Sequence, residues 1–215
     1  TKVKKEQFTN VLDDIKKFIS EYPSKDTFIN DLKNSEYYVN ILLDILVKLN
    51  KEHNVDYIKI CVTGGVMDAK KKGEPGELKM NLEQTKAVCD KAHEFGYKVA
   101  SHTESNVGIK VALQAGVDTI EHGSLMDDND IKLFKEKGSV DVLTISPSLP
   151  LALFDPSVTK LDEMCVYNSN YLKDGMIEGA KKCLENGVVV GLGTDASCPF
   201  VAPYDSRLFK GQYIL

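Results

Sequence analysis

The chain has 215 residues, of which 42% are hydrophobic and 27% charged, and its formal net charge is −5. This length and apolar content are enough for the core of one large domain. The lysines are scattered along an acidic chain, so the basic surface that nucleic acid or an anionic membrane would require is absent, and neither is expected as a partner.

The cysteines and the chain ends indicate the cellular compartment of the protein. Five cysteines without a Cys-x-x-Cys pair argue against a disulfide framework and for a reducing compartment. The polar, lysine-rich start from Thr1 to Asn10 does not resemble a signal peptide, and the longest apolar run, Ile41 to Val47, is too short to span a bilayer. We therefore expect a cytoplasmic protein. The chain starts without methionine and finishes without a helix-closing signal, so both ends are expected to be cut.

Two amphipathic helices are the first predicted elements. Apolar residues recur at helical spacing from Lys4 to Glu21, and again from Ser35 to Lys51. The second helix runs directly into a strand, whereas the first has no assigned place. We predict a helical segment over residues 1–34 and one partial barrel domain over residues 35–215.

The segment from Asp56 to Gly65 is predicted to be a buried strand with one charged residue, Lys59. Apolar residues on both sides of the lysine indicate a strand that is covered on both faces, as in a parallel sheet. Burying an unpaired ammonium is costly, so Lys59 either has a carboxylate partner or is a neutral amine used for chemistry. In the same strand, Cys61 is expected to be a small core residue.

Four more helix and strand units follow. Alternation of this kind predicts a parallel sheet in an α/β fold, and leaves open whether the sheet is open or closed. The polar loop from Asp68 to Lys79 is either a lid over a site or a solvated linker. The predicted helices run from the Asn81 cap to Gly96, Val107 to Ala115, Ile131 to Lys137 and Tyr171 to Asn186. The predicted strands are Lys98 to His102, Asp118 to Glu121, Val140 to Ile145 and Val188 to Gly193.

Metal-capable or acidic side chains lie at the C-terminal ends of these strands. They are Lys59, His102, the Glu121-His122 pair and Asp195. In a barrel these ends converge on one mouth, whereas an open sheet would spread them apart, so the pattern favours a barrel. Two imidazoles suit a divalent metal of the zinc kind, and a carboxylate can bind metal and accept a proton from water. A neutral lysine can add carbon dioxide and become a bridging carbamate.

Structural explanations compete with these roles. A single histidine at a strand end is more often a hydrogen-bonded structural group, but two on neighbouring strands beside Lys59 and Asp195 favour ligation. His93 and His53 are expected to be structural and surface residues, respectively. Glu104 either touches substrate or is a carboxylate in the first turn of a helix.

Four segments resemble the amidohydrolase superfamily, and most of all its prolidase and imidazolonepropionase-like branch. The resemblance implies a (β/α)8 TIM-type barrel, of which strands four to eight are in this chain, with one or two zinc ions at its C-terminal mouth. The segments are Tyr57 to Ile60 with Thr63 to Val66, Ala92 to Gly96 with Ser101 to Thr103, Ala115 to Gly123, and Gly191 to Asp195.

The resemblance also implies a role for each candidate residue. Lys59 would be the carboxylated lysine that bridges two metals, and His102 and His122 would bind the second metal. Asp195 would bind the first metal and act as the catalytic proton shuttle. A metal-bound hydroxide would then attack an amide carbonyl, and Asp195 would pass the proton to the leaving nitrogen.

One family feature is absent from the chain. The family has a His-x-His pair at the end of strand one, and no two histidines here are two residues apart. We therefore expect an incomplete barrel that is inactive alone and needs the missing N-terminal strands or homo-oligomer contacts. The alternative is a non-catalytic α/β ligand-binding domain with a degenerate metal site.

The substrate is the least determined feature. The segment from Ser146 to Asn170 is expected to line the pocket, and Tyr167 is its candidate substrate-binding residue. The family branch implies a small amide, such as a dipeptide or an N-acyl amino acid.

Overall fold

The computed structural model describes residues 56–196 without interruption, and also residues 20, 23–27, 30, 198 and 201. The chain divides into two compact units, Thr1–Asp56 and Tyr57–Leu215. The predicted N-terminal helices lie outside the described residues except at single positions, as does the predicted boundary after residue 34.

A parallel sheet of five strands forms the centre of the second unit. Each strand pairs with the next one in the chain, which is the order of strands in the wall of a (β/α)8 barrel. The strands are β1 (Tyr57–Cys61), β2 (Lys98–His102), β3 (Thr119–Glu121), β4 (Val140–Leu143) and β5 (Val190–Leu192).

Helices connect successive strands, because parallel neighbours require a crossover. A short 3-10 turn, Val66–Asp68, follows β1. The helices are α1 (Leu82–Glu94), α2 (Asn106–Ala115), α3 (Asp128–Lys137), α4 (Ile145–Leu153), α5 (Pro156–Thr159) and α6 (Glu163–Glu185). The α/β class is therefore confirmed. No helix among the described residues has both the length and the apolar character needed to cross a membrane.

The helix ends follow the signals in the sequence. The Asn81 side chain accepts a hydrogen bond from the Gln84 amide at 2.9 Å, and the Gln84 side chain accepts one from the Asn81 amide at 3.1 Å. This reciprocal pair is the predicted capping box of α1. Gly116 and Gly138 close α2 and α3 with φ of 96° and 68°, a conformation that glycine adopts without steric cost.

The region between β4 and β5 is more helical than expected. We predicted a helix from Tyr171, but α6 begins eight residues earlier, after the Asp162 side chain accepts a hydrogen bond from the Cys165 amide at 2.8 Å. Upstream, α4 includes Pro147 in its first turn and Pro150 inside the helix. Prolines predict a break in a helix, yet Pro147 lies in the first turn, where a proline loses no intrahelical hydrogen bond.

Strand β1 is buried on one face only, which corrects the expectation that both faces are covered. Ile58, Val99 and Ile120 are at most 3% exposed and share the face that the helices cover. On the other face, Lys59 and Cys61 are exposed. The physical reason is that the five strands of the described residues form an open sheet, which does not enclose the face that lines the inside of a closed barrel.

Asp141 is a buried acid in the helix-covered layer of the sheet. It lies beside Ile120 in the register of β3 and β4, is 0% exposed, and neither carboxylate oxygen has a hydrogen-bond partner among the described residues. Burial, reinforced by the charge of Glu121, raises the pKa of Asp141 to about 8. The carboxyl group of Asp141 therefore binds its proton more tightly in the folded state than in the unfolded state.

We expect Asp141→Asn to stabilise the protein increasingly between about pH 4 and pH 8. In this window the unfolded carboxyl ionises while the folded one stays protonated, so the wild type loses stability as pH rises, by at most about 1.4 kcal/mol per pH unit. Thermal unfolding of the full-length protein at several pH values measures the gain. The matched control is Asp128→Asn, whose side chain is 99% exposed. A gain that does not depend on pH would contradict the prediction.

Candidate metal centre

The predicted site residues lie at the C-terminal edge of the sheet. His102 is the last residue of β2, and His122 directly follows β3. Lys59 lies within β1, and Asp195 lies in the loop after β5. The charges of these groups act on one another, since His102 is influenced by Lys59 and Asp195, and His122 is influenced by His102 and Lys59. The fold therefore brings all four to one edge.

The two histidines are direct neighbours. Their ring centroids are 4.7 Å apart, and the rings meet edge to face at 63°. His102 Nε2 donates a hydrogen bond to the Gly64 carbonyl oxygen at 3.2 Å, and His122 Nδ1 hydrogen bonds with Thr144 Oγ1. No hydrogen bond among the described residues occupies His102 Nδ1 or His122 Nε2. One nitrogen of each ring is thus oriented by a partner and the other is free, as in metal-binding histidines.

Burial keeps both rings neutral. His122 is 8% exposed, and desolvation, followed by the charges of His102 and Lys59, lowers its pKa to about 3. Desolvation also lowers the pKa of His102, although the hydrogen bond to Gly64 opposes this shift. A neutral imidazole is the form that binds metal, so neither ring has to lose a proton near neutral pH.

Two of the candidate ligands have unusual backbone conformations. His122 has φ of 67° and Asp195 has φ of 48°, which lie in the left-handed region that non-glycine residues seldom adopt. Such residues cost about 1–3 kcal/mol and persist where the surrounding structure holds them, often at functional sites.

Hydrogen bonds with two helices, α6 and α2, hold the loop after His122. Ser124 Oγ donates to the Leu172 carbonyl of α6 at 3.1 Å, and Asn106 Nδ2 of α2 donates to the Leu125 carbonyl at 3.3 Å. These contacts hold the backbone that turns the His122 ring toward β2.

Two alternatives were stated for Lys59, an ammonium paired with a carboxylate and an amine with a lowered pKa, and the structure favours the second. The pKa of Lys59 is lowered, with desolvation by neighbouring protein atoms as the largest cause and the charges of Glu121, Cys61 and Asp195 opposing it. No carboxylate among the described residues lies within ion-pair distance. Lys59 is therefore exposed, unpaired in this part of the chain, and close to two acids.

The donor set fits a metal only in part. Among residues 56–196 and the other described positions, no three His, Cys, Asp or Glu side chains are grouped as a metal site. Two neutral imidazoles with free nitrogens are suitable zinc donors, but structural and catalytic zinc sites use at least three protein ligands. His102 and His122 thus form half of a site, with Lys59 and Asp195 nearby.

Tyr167 is not part of this group. It is 47% exposed and stacks on Tyr171 with ring centroids 6.4 Å apart. Both tyrosines line a surface cavity of about 460 Å³ together with Lys72 and Glu163, and no strand-end residue lines it. The structure therefore places the predicted substrate-binding residue in a surface cavity of α6 that is separate from the strand-end residues.

The loop from Asp68 to Lys79 is tethered to α6. The Gly73 amide donates to Asn168 Oδ1 at 2.8 Å, and Asn168 Nδ2 donates to the Lys71 carbonyl at 3.0 Å. Asn168 is 0% exposed, so these hydrogen bonds are shielded from water.

Sequence reasoning missed one residue of the site. Thr144 follows β4, the strand that has no metal-capable residue at its end, and its hydroxyl is the partner of His122. Its position after a strand was a usable signal, because every other strand contributes a polar group there. Glu121, noted only beside His122, pairs with His102 in the strand register and accepts a hydrogen bond from Thr119 Oγ1 at 2.6 Å.

Comparisons with known proteins give the family. A model described as the amidohydrolase family matches residues 46–206, so the chain belongs to this family. The ochratoxinase of Aspergillus niger is 28% identical over 157 residues, which are 70% of this chain and 31% of that protein.

Solved structures agree with this assignment. A Bifidobacterium longum protein assigned as a prolidase is 38% identical with a TM-score of 0.67, over 76% of this chain and 40% of that one. A Xaa-Pro dipeptidase with bound methionine is 30% identical with a TM-score of 0.60, over 76% and 39%. The resemblance and the partial TIM barrel are thereby confirmed. The chain spans about a third to two fifths of the length of these relatives.

We expect Thr144→Val to weaken metal binding by about ten- to a hundredfold, because His122 loses the group that orients its ring. Metal titration of the full-length protein with a competing chelator measures the affinity. Thr159→Val in α5 is the control, since Thr159 hydrogen bonds only locally, to the Leu161 amide at 3.5 Å. Equal affinity in both variants would show that Thr144 does not orient a ligand.

Proposed function

We propose that the full-length protein is a metal-dependent hydrolase that cleaves an amide or peptide bond in a small substrate. The observation that carries the proposal is the pair of adjacent histidines, each with one oriented and one free nitrogen, at the C-terminal edge of a parallel sheet. In barrels of this kind the active site lies at that edge. Membership of the amidohydrolase family supports the same chemistry.

Each candidate residue has a role in this proposal. His102 Nδ1 and His122 Nε2 would hold a metal ion, and Lys59, as a carbamate, would be a further ligand. Asp195 would also hold metal, and its carboxylate would move a proton from water to the leaving nitrogen. The metal, proposed to be zinc, supplies Lewis-acid activation of water and of the carbonyl. The charge of Glu121, in register with His102, acts on Lys59 and opposes the lowering of its pKa.

The substrate class is proposed from the relatives. Two similar structures are named as a prolidase and a Xaa-Pro dipeptidase, and a third relative is an ochratoxinase. A dipeptide fits the first two names, and an N-acyl amino acid is the alternative that the family branch implies. Tyr167 remains a predicted substrate contact that would require a different position of its side chain, and the cytoplasmic location remains a prediction.

We also propose that residues outside this chain complete the centre. Two imidazoles are too few for a zinc site, and β1 leaves Lys59 exposed on the face that a closed barrel would cover. The relatives are more than twice as long as the matched region, which leaves room for further strands and ligands.

A second candidate is a ligand-binding domain with a degenerate metal site. It is favoured by the absence of any group of three metal-ligating side chains in the part of the chain that the structure describes. The two candidate functions differ in whether the activity of the protein depends on Lys59.

We expect Lys59→Ala to reduce hydrolysis of a dipeptide by more than about a hundredfold in the full-length protein, because a ligand of the centre is removed. Steady-state kinetics and metal analysis measure the effect. The matched control is Lys98→Ala, since Lys98 lies on the same face of the sheet at its opposite end. If neither the wild type nor Lys59→Ala hydrolyses dipeptides, and both still bind them, the ligand-binding candidate is correct.

We expect residues 1–215 alone to bind metal weakly and to show no measurable hydrolysis, because these residues lack the His-x-His pair that the family has at the end of strand one. Intact mass establishes the boundaries of the preparation, and metal analysis and turnover are compared with the full-length protein. Stoichiometric loading with two metals together with amide hydrolysis by the 215 residues would refute the need for further strands.

A further inference from the structure

His102 hydrogen bonds with a carbonyl group in the turn that follows β1. Its Nε2 donates to the Gly64 carbonyl oxygen at 3.2 Å, which leaves Nδ1 as the nitrogen that the proposed function assigns to metal. A carbonyl oxygen can only accept, so this contact requires the tautomer with the proton on Nε2. The position of one carbonyl group therefore determines which nitrogen of His102 is available to a metal.

The Gly64 carbonyl and the Gly65 amide belong to the same peptide group. This group is planar, and because no peptide bond among the described residues is cis, its carbonyl and its N–H point in opposite directions. The N–H donates to Asp68 Oδ1 at 2.7 Å. One rigid plane thus connects the Asp68 carboxylate on one side with the His102 ring on the other.

The two glycines would let this plane rotate if nothing held it. A residue without a Cβ atom has a wide range of backbone angles, so a peptide group between two glycines has little intrinsic preference for one orientation. Gly64 is also required for the contact with Asp68, because a Cβ atom there would lie 2.4 Å from Asp68 Oδ2. The glycine that admits the carboxylate therefore also makes the carbonyl dependent on it.

The Asp68 carboxylate is itself held at the base of the loop from Asp68 to Lys79. Lys79 Nζ lies 3.3 Å from Asp68 Oδ2 and 2.9 Å from Glu77 Oε2. The Gly64 amide donates to the Glu77 carbonyl at 2.8 Å. The two ends of the loop are therefore joined at the turn that orients His102.

Other groups near the ring do not replace this contact. Glu104 Oε1 lies 3.8 Å from His102 Nε2, which is beyond hydrogen-bonding distance. We expected Glu104 to touch substrate or to lie in the first turn of a helix, but it precedes α2, whose cap is Ser105. The Thr63 hydroxyl donates to the Gly64 carbonyl at 2.8 Å and does not hold the amide side of the plane. Asp68 is the side chain that holds that side.

We propose that Asp68 is a positioning residue for His102. By accepting from the Gly65 amide, its carboxylate fixes the Gly64 carbonyl, keeps the His102 proton on Nε2 and leaves Nδ1 free. This inference rests on the proposed function, in which Nδ1 binds metal. A role limited to capping the short turn Val66–Asp68 would stabilise that turn without any effect on the ring.

The first measurement uses the metal-free, full-length protein. The nitrogen chemical shifts of the His102 ring in NMR spectra report which nitrogen carries the proton, and the signals are assigned by their absence in His102→Gln. We expect the wild type to show the Nε2–H tautomer and Asp68→Ala to show a mixture of both tautomers. Asp68→Asn should resemble the wild type, because its side-chain oxygen still accepts from the Gly65 amide.

The second measurement is a zinc titration of the same proteins with a competing chelator. We expect Asp68→Ala to bind zinc about ten- to a hundredfold more weakly, and Asp68→Asn to keep the wild-type affinity. The matched control is Glu77→Ala, which removes the other acid paired with Lys79 and keeps the backbone carbonyl that Gly64 uses. This control should keep both the tautomer and the affinity.

Three results would overturn the inference. These are the wild-type tautomer in Asp68→Ala, an equal change of tautomer in Glu77→Ala, and a mixture of tautomers in Asp68→Asn, which would assign the effect to the charge of Asp68. If Asp68→Ala does not fold, as judged by its thermal unfolding, Gly64→Ala decides. Its methyl group displaces the Asp68 carboxylate and should give the same mixture, whereas the wild-type tautomer in this variant would refute the role of Asp68.

Hydrolysis of alanyl-leucine is measured separately. A change of tautomer in Asp68→Ala without hydrolysis by the wild type would contradict the proposed function and leave the role of Asp68 intact. Hydrolysis by the wild type, with an unchanged tautomer and zinc affinity in Asp68→Ala, would leave the function and remove the inference.

Discussion

The candidate centre depends on the parallel register of β2 and β3. Because all five strands run in the same direction and pair in chain order, their C-terminal ends meet at one edge. The register sets His102 opposite Glu121, so that His122, one residue later, reaches the neighbouring ring with centroids 4.7 Å apart. A shift by one residue would send one of these side chains to the opposite face of the sheet. The positive φ of His122 then completes its orientation.

Buried polar groups in this fold are of two kinds. Those that hold the framework are paired, such as Asn168, which fixes the loop after β1, and Ser124, which fixes the loop after β3. Glu104 and Asp141 each leave carboxylate oxygens without partners. Asp141 lies among apolar residues under the helices, where it costs stability, whereas Glu104 Oε1 lies 3.8 Å from His102 Nε2.

The exposed face of the sheet and the partial metal site have one explanation. A closed barrel covers the inner face of every strand and gathers ligands from several strand ends. The five described strands form an open sheet, in which β1 and β5 are the outermost strands. Their C-terminal ends bring together two imidazoles, a lysine and an aspartate. The chain matches only about a third to two fifths of its relatives, which agrees with a wall of a larger barrel.

Much of the fold was determined locally and was therefore predictable. Asn81 with Gln84 starts α1, Gly116 closes α2, and the alternation with strands implies parallel pairing, because these features depend on neighbouring residues in the chain. The residue types at the strand ends and their family spacing likewise led to His102 and His122, whose rings the structure places side by side; their role as ligands stays a prediction.

The tertiary structure decided what depends on residues distant in the sequence. It showed which nitrogen of each ring is free, because Gly64 and Thr144 are the partners. It also showed Tyr167 in a surface cavity without strand-end residues, and Glu104 beside His102. The exposure of Lys59 belongs here too, since an apolar strand looks the same in sequence whether or not a second layer covers it. Side-chain direction and cover result from packing between elements, which no local pattern encodes.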